Sequence, residues 1–138
     1  MVAPLSQSLL DMEAPVLRAH GVTMWAYVVL SRLGDQPLRG QAVLAEAIGA
    51  DKTRIIDVLD DLQERGLIRR EPDPADRRAR LLALTPAGRR LRDQVRRAIR
   101  REEQRVLKAL PADERAVFLR ALQRLAAYAT RSAEAHRP

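Results

Sequence analysis

The sequence predicts a mainly α-helical chain interrupted once by a small β-hairpin. Three observations carry that prediction. Apolar residues recur at helical spacing through most of the 138 residues. Thr and Asp residues able to cap helices, and glycines able to close them, divide that spacing into separate segments. Only between Leu67 and Leu84 does the pattern change, to two short apolar runs around a loop that holds two prolines.

Residues 4–18 carry helical spacing at Leu5, Leu9, Met12 and Val16, and Gly21 ends that segment. Thr23 is placed to cap a helix over 24–33, which Gly34 stops ahead of a turn at Asp35, Gln36 and Pro37. Residues 41–48 form a short helix ended by Gly49. Asp51 caps the next helix, which runs to about Arg65 with Ile55, Val58, Leu59 and Leu62 on one stripe and Gly66 at its close. Residues 67–70 and 80–84 read as strands. The stretch 71–76 between them reads as a loop, because Pro72 and Pro74 oppose regular structure. Thr85 caps and Pro86 opens a long helix with Leu91, Val95, Ile99, Val106 and Leu110 on its apolar side and a polar break at Glu102 and Glu103. Pro111 interrupts it. Asp113 and Glu114 favour a new helix start, followed by Val117, Phe118, Ala121, Leu122, Leu125 and Ala129. The tail after Arg131 is expected to fray.

Composition narrows the class. With 46% hydrophobic residues the chain is not disordered by composition, and with 3% aromatics its core must come from Leu, Val, Ile and Ala. The absence of cysteine excludes a disulfide framework, a thiolate metal site and a cysteine redox switch. The N-terminal residues lack the pattern of a signal peptide, and the longest apolar stretch, 24–30, is too short to span a bilayer; a cytoplasmic protein without membrane contact is expected. The formal charge is +7, and residues 69–105 hold 13 Arg against 6 acids, so the excess sits in that one region. Such a region points to an anionic partner. The competing reading is codon bias, since 23 of the 25 basic residues are Arg.

The order of elements sharpens this. A short helix, the turn Gly49-Ala50-Asp51 and a second helix make a helix-turn-helix, and the charged hairpin that follows supplies a wing. In that geometry the second helix enters the major groove and presents its first residues to base edges. Lys52, Thr53 and Arg54 stand there, one turn ahead of Asp57, and Gln41 opens the preceding helix. The turn alone favours an ordinary surface helix. The wing weighs against that, because Arg77, Arg78 and Arg80 on a protruding hairpin can reach a minor groove. Asp76 is expected to pair with Arg78 and fix the loop. The arginines 89, 92, 96 and 100 of the long helix read as a solvated face.

The run ADKTRIIDVLDDLQERGLIRREPDPADRRARLLALTPAGRRL resembles the signature of the MarR family of bacterial regulators. Asp76, Arg78 and the stretch ALTPAG fall on its most diagnostic positions, with weaker similarity through Val22-Thr23, Tyr27, Val29-Leu30, Leu33 and LAEAIGA. LPADERAVFLRALQRL resembles the last helix of the family. The resemblance implies a homodimer. Residues 1–20 and 86–135 would form its dimerisation lobe, and residues 23–84 the winged helix-turn-helix. It further implies a pseudo-palindromic double-stranded DNA operator, and repression relieved by a small aromatic or phenolic effector bound between the lobes. His20, Met24 and Tyr27 are the pocket candidates on that basis. The sequence departs from the family's usual residues at Arg54 and Asp57; Asp57 is placed to hold Arg54 or to accept from a cytosine amino group. Arg39-Gly40-Gln41 replaces a Ser or Thr cap, and the first helix is short.

Other classes find less support. The two His, at 20 and 136, do not gather a metal cluster in the sequence, and a structural or pocket role is favoured for His20. No cofactor is expected. No Ser-His-Asp pattern, phosphate loop or carboxylate pair marks an enzyme. A winged-helix protein-interaction module would have an apolar recognition face and an uncharged wing. An RNA-binding winged helix remains open, and competition between duplex DNA and folded RNA separates it.

Overall fold

The computed structural model describes residues 2–34 and 36–135, and of residues 2, 52, 130 and 132–135 the backbone alone. The chain divides into two compact units, residues 1–100 and 101–138.

The first unit holds α1 (Val2–Ala19), α2 (Met24–Leu33), β1 (Leu38–Arg39), α3 (Gln41–Ile48), α4 (Lys52–Glu64), β2 (Ile68–Asp73), β3 (Asp76–Leu84) and most of α5 (Pro86–Leu107). Helices α2, α4 and α5 start where the sequence places caps. The Thr23 hydroxyl accepts from the Ala26 amide at 3.1 Å, and Thr85 Oγ1 accepts from the Gly88 amide at 3.1 Å. Each satisfies one of the donors a helix start leaves without an internal partner. Val29, Leu30, Leu33, Leu44, Ile55, Leu59, Leu62, Ile68, Leu82 and Val95 are fully enclosed, so α2, α3, α4, α5 and the sheet share one aliphatic core. The turn expected at 35–37 falls partly on residue 35, outside the described residues.

The sheet is larger than the sequence suggests. Its order is β1-β3-β2, both pairs antiparallel, with Leu38 opposite Leu82 and Ile68 opposite Leu84. β1 has two residues, too few to leave a periodic signal. The expected loop at 71–76 is mostly strand: Pro72 pairs with Arg80, and only Pro74 and Ala75 turn. The prolines are tolerated because β2 lies at the sheet edge and the register shifts between Pro72 and Asp73.

Another expectation is corrected in α5. Arg92, read as solvated, is buried, with Arg89 and Arg96 half-buried and Arg100 exposed. Gly88, Arg92, Val95 and Ile99 share the inward face. The Arg92 stem can therefore lie along apolar surface while its Nε donates to Asp93 at 2.9 Å. That bond is the main reason the Asp93 carboxyl sits below the usual carboxylate range.

The second unit holds the end of α5, a corner, and α6 (Ala112–Ala135). Pro111 ends α5 earlier than the apolar spacing suggests, since the residue before a proline is steered away from helix. Arg115 completes the corner. Its Nε donates to the Leu107 carbonyl at 2.9 Å and its Nη2 to the Leu110 carbonyl at 3.0 Å. Leu110, Asp113, Glu114, Val117 and Phe118 line an open groove of about 400 Å³. α6 continues past Arg131 to Ala135, while His136 and the last two residues lie outside the described residues. Among the described residues, no helix is long and apolar enough to cross a membrane.

Candidate nucleic-acid interface

The site begins at the turn between α3 and α4. Gly49 adopts φ +67°, a left-handed conformation that a residue with a Cβ rarely takes, and its amide turns back onto the α3 carbonyls. The Ala50 amide donates to the Ala45 carbonyl at 3.0 Å. The chain is thus redirected within two residues, and Asp51 immediately caps α4. Its Oδ1 accepts from the Thr53 amide at 2.7 Å and from the Arg54 amide at 3.3 Å. These two donors, Thr53 first, hold the Asp51 carboxyl below its ordinary pKa.

Ile55, Leu59 and Leu62 anchor α4 in the core, which turns Thr53, Arg54 and Asp57 outward. Lys52 opens the helix, and its side chain lies outside the described residues. Gln41 is half-buried at the start of α3, behind a Gly40 that offers no side-chain cap. Arg54 is not held by Asp57: its guanidinium lies over the Trp25 ring, 5.8 Å from the centroid.

The wing stands beside α4 and is tied to it. The Arg70 guanidinium of β2 contacts the Asp60 carboxylate of α4 as a hydrogen-bonded ion pair. Arg77, Arg78 and Arg80 are all exposed, on β3 rather than on a loop. Strand alternation puts Arg78 and Arg80 on one face and Arg77 on the other. Asp76 shapes the tip through the backbone, accepting from the Arg78 amide at 2.9 Å, rather than through the Arg78 guanidinium.

Two contributors escaped the sequence reading. Asp73 is 2% exposed. One of its oxygens accepts from the Ala75 amide at 2.9 Å, and the other pairs with Arg39 Nε of β1 at 3.0 Å. The order Asp-Pro before the turn was the available signal. Arg65 reaches from the end of α4 to the Gly21 carbonyl at 2.9 Å, fastening α4 to the corner between α1 and α2; a contact across 44 residues leaves no local trace.

His20 follows the end of α1, and Met24 and Tyr27 lie on the first turns of α2, on either side of that corner. His20 Nδ1 lies 2.8 Å from the Val16 carbonyl, and Met24 and Tyr27 are half-buried against the core. Among the described residues, no three His, Cys, Asp or Glu gather as a metal site.

A helix-turn-helix with an exposed second-helix start, braced by an arginine-bearing three-stranded wing, defines the winged-helix class of transcriptional regulator. Comparison with known proteins agrees. The sequence profile of the MarR family matches residues 20–79. A putative transcriptional regulatory protein for the hcr operon of Thauera aromatica is 33% identical over 110 residues, 80% of this chain and 66% of that protein. Against other curated relatives the matched stretch spans about half their length (48%). The PcaV transcriptional regulator of Streptomyces coelicolor, solved with its natural ligand, is 32% identical over 91% of each chain, with a TM-score of 0.65. CouR of Rhodococcus jostii RHA1, solved with p-coumaroyl-CoA, is 29% identical over 91% of this chain and 88% of that one, with a TM-score of 0.71. The chain belongs to the MarR family of transcriptional regulators.

Proposed function

We propose that the protein is a homodimeric repressor that binds a pseudo-palindromic site in double-stranded DNA and is released by a small aromatic effector. The observation that carries the DNA half is the pairing of an exposed α4 start with the exposed Arg77, Arg78 and Arg80 of the wing. In this reading α4 enters the major groove. Thr53 and Arg54 meet base edges, Asp57 accepts from a cytosine amino group, and Lys52 and Gln41 contact the backbone near them. The wing arginines lie along the adjacent minor groove.

The dimer reading rests on apolar side chains that stand exposed among the described residues. Leu5 and Leu10 of α1 are 45% and 44% exposed, and Val117, Leu122, Leu125 and Tyr128 of α6 are 49–66% exposed. On α6 they recur at helical spacing, the pattern a partner helix covers. Residues 1–20 and 86–135 accordingly serve as the dimerisation elements, and residues 23–84 as the DNA-binding part.

The effector reading rests on the corner of His20, Met24 and Tyr27 and on similarity to two regulators solved with ligands. A ligand there acts by binding the DNA-incompetent state better, with a coupling of about 1–3 kcal/mol. The test combines duplex-shift assays against folded RNA with calorimetry using aromatic carboxylates and phenols. A duplex shift that RNA does not compete away, weakened by a compound that binds, supports the whole reading. Equal competition by RNA contradicts the DNA half, and a bound compound without effect on the shift contradicts the effector half.

A further inference from the structure

Trp25 is the single tryptophan of the chain, the bulkiest side chain available for a core otherwise poor in aromatics. It is half-buried on the first turn of α2. Yet it belongs neither to the enclosed core nor to the half-buried apolar residues packed against it, a set that includes its neighbours Met24 and Tyr27. Its ring is spent instead on a cation: the Arg54 guanidinium lies over it at 5.8 Å. Arg54 projects from the first turn of α4, its backbone already fixed by the Asp51 cap.

From this juxtaposition we infer that Trp25 is a specificity-positioning residue for DNA recognition. It holds the Arg54 guanidinium in one orientation before DNA arrives. The inference rests on the DNA-reading role proposed for α4.

The chemistry favours a platform over a competitor. A carboxylate that held Arg54 would occupy the guanidinium N–H groups a base must use. A ring is drawn to the positive charge and accepts no conventional hydrogen bond, so all five donors remain for an acceptor such as guanine O6 and N7. A long side chain already confined surrenders less freedom on binding, and one aimed in a single direction discriminates better between acceptor patterns. Asp57, the partner expected from helix spacing, is thereby left to act on a base of its own. α2 thus contributes to base discrimination through Arg54.

The experiment is sequence selection by the full-length protein from a randomised duplex library, run on wild type, Arg54→Ala, Trp25→Leu and Trp25→Phe. The emission of Trp25 is read in the free proteins beforehand. Arg54→Ala identifies the base position that Arg54 reads. At that position Trp25→Leu should lose about two- to fivefold of the wild-type preference, as expected for an exposed cation–π pair, with other positions unchanged. Trp25→Phe, which keeps a ring face, should restore most of it. Without DNA, Arg54→Ala should change the emission of Trp25. Trp25→Leu retaining the Arg54-dependent preference, or weakening every position alike without rescue by Phe, overturns the inference. Wild type selecting no duplex overturns instead the parent reading, and the emission change then still reports whether the contact exists.

Discussion

The backbone of Gly88 in α5 presses against the carbonyl of Leu67: a Cβ on Gly88 would stand 1.9 Å from that oxygen. The same carbonyl accepts from the Thr85 amide at 3.1 Å, and Thr85 Oγ1 donates to the Gly66 carbonyl at 2.7 Å. The stretch Leu84-Thr85-Pro86-Ala87-Gly88 therefore locks the start of α5 onto the strand entry that follows α4. Gly88→Ala improves intrinsic helix propensity and should nonetheless destabilise the fold, by about 1–3 kcal/mol, because the helix must shift to admit the methyl group. A thermal melt that rises or stays constant would refute that packing argument.

The wing tip should depend on Asp73. Asp73→Ala removes both its hydrogen bond to the Ala75 amide and its pairing with Arg39. We expect a loss of about 1–3 kcal/mol of stability and faster amide exchange at Ala75, with α3 and α4 little affected. Unchanged exchange at Ala75 would show that Pro74 alone sets the turn.

Much of the fold was legible because its signals are local. Thr23, Asp51 and Thr85 are caps whose partners lie two or three residues away, and they mark three helix starts correctly. The aliphatic stripe of α4 similarly identifies its inward face. What was hidden depends on distant partners. β1 exists only because Leu38 and Arg39 meet β3, and β2 reaches Asp73 only because it lies on an edge. Arg92 reads as polar in sequence and is buried all the same. At the candidate site the outward residues of α4 and the wing were legible, whereas the Arg54–Trp25 and Arg65–Gly21 contacts join residues far apart in the chain.

The cap at α4 predicts a pH response. The Asp51 carboxyl has a lowered pKa in the folded chain, chiefly because the Thr53 amide donates to its charged form. A group whose folded pKa is depressed stabilises fully above its unfolded pKa, and loses that contribution as pH falls through the folded value. The Thr53 and Arg54 amides should therefore shift together in an acid titration followed by NMR, with a midpoint below 3.8, the ordinary value for Asp. Asp51→Asn, which keeps an acceptor, should preserve the helix start better than Asp51→Ala. A midpoint at or above the ordinary value would contradict the cap.

The exposed apolar stripe of α6 makes the assembly testable. Replacing Leu122 and Leu125 together with Glu should convert a dimer into a 15.5 kDa monomer in sedimentation at micromolar concentration, leaving the core of residues 1–100 folded. A wild-type chain that sediments mainly as a monomer would remove the dimer from the account.

The two arginine sets should separate by the kind of binding they lose. Arg54→Ala should cost about 1–3 kcal/mol and relax preference at one position per half-site. Arg78→Ala should weaken binding with a change mainly in A·T content. Equal loss across all sequences for Arg54→Ala would make it a phosphate contact.

The central claim is that two copies of α4 and the wing read one duplex together, and a footprint of the wild-type protein on genomic DNA tests it most directly. The account predicts protection of two inverted half-sites whose centres lie about one helical turn, ~34–36 Å, apart. Protection of a single asymmetric half-site, or of no discrete site, would contradict it.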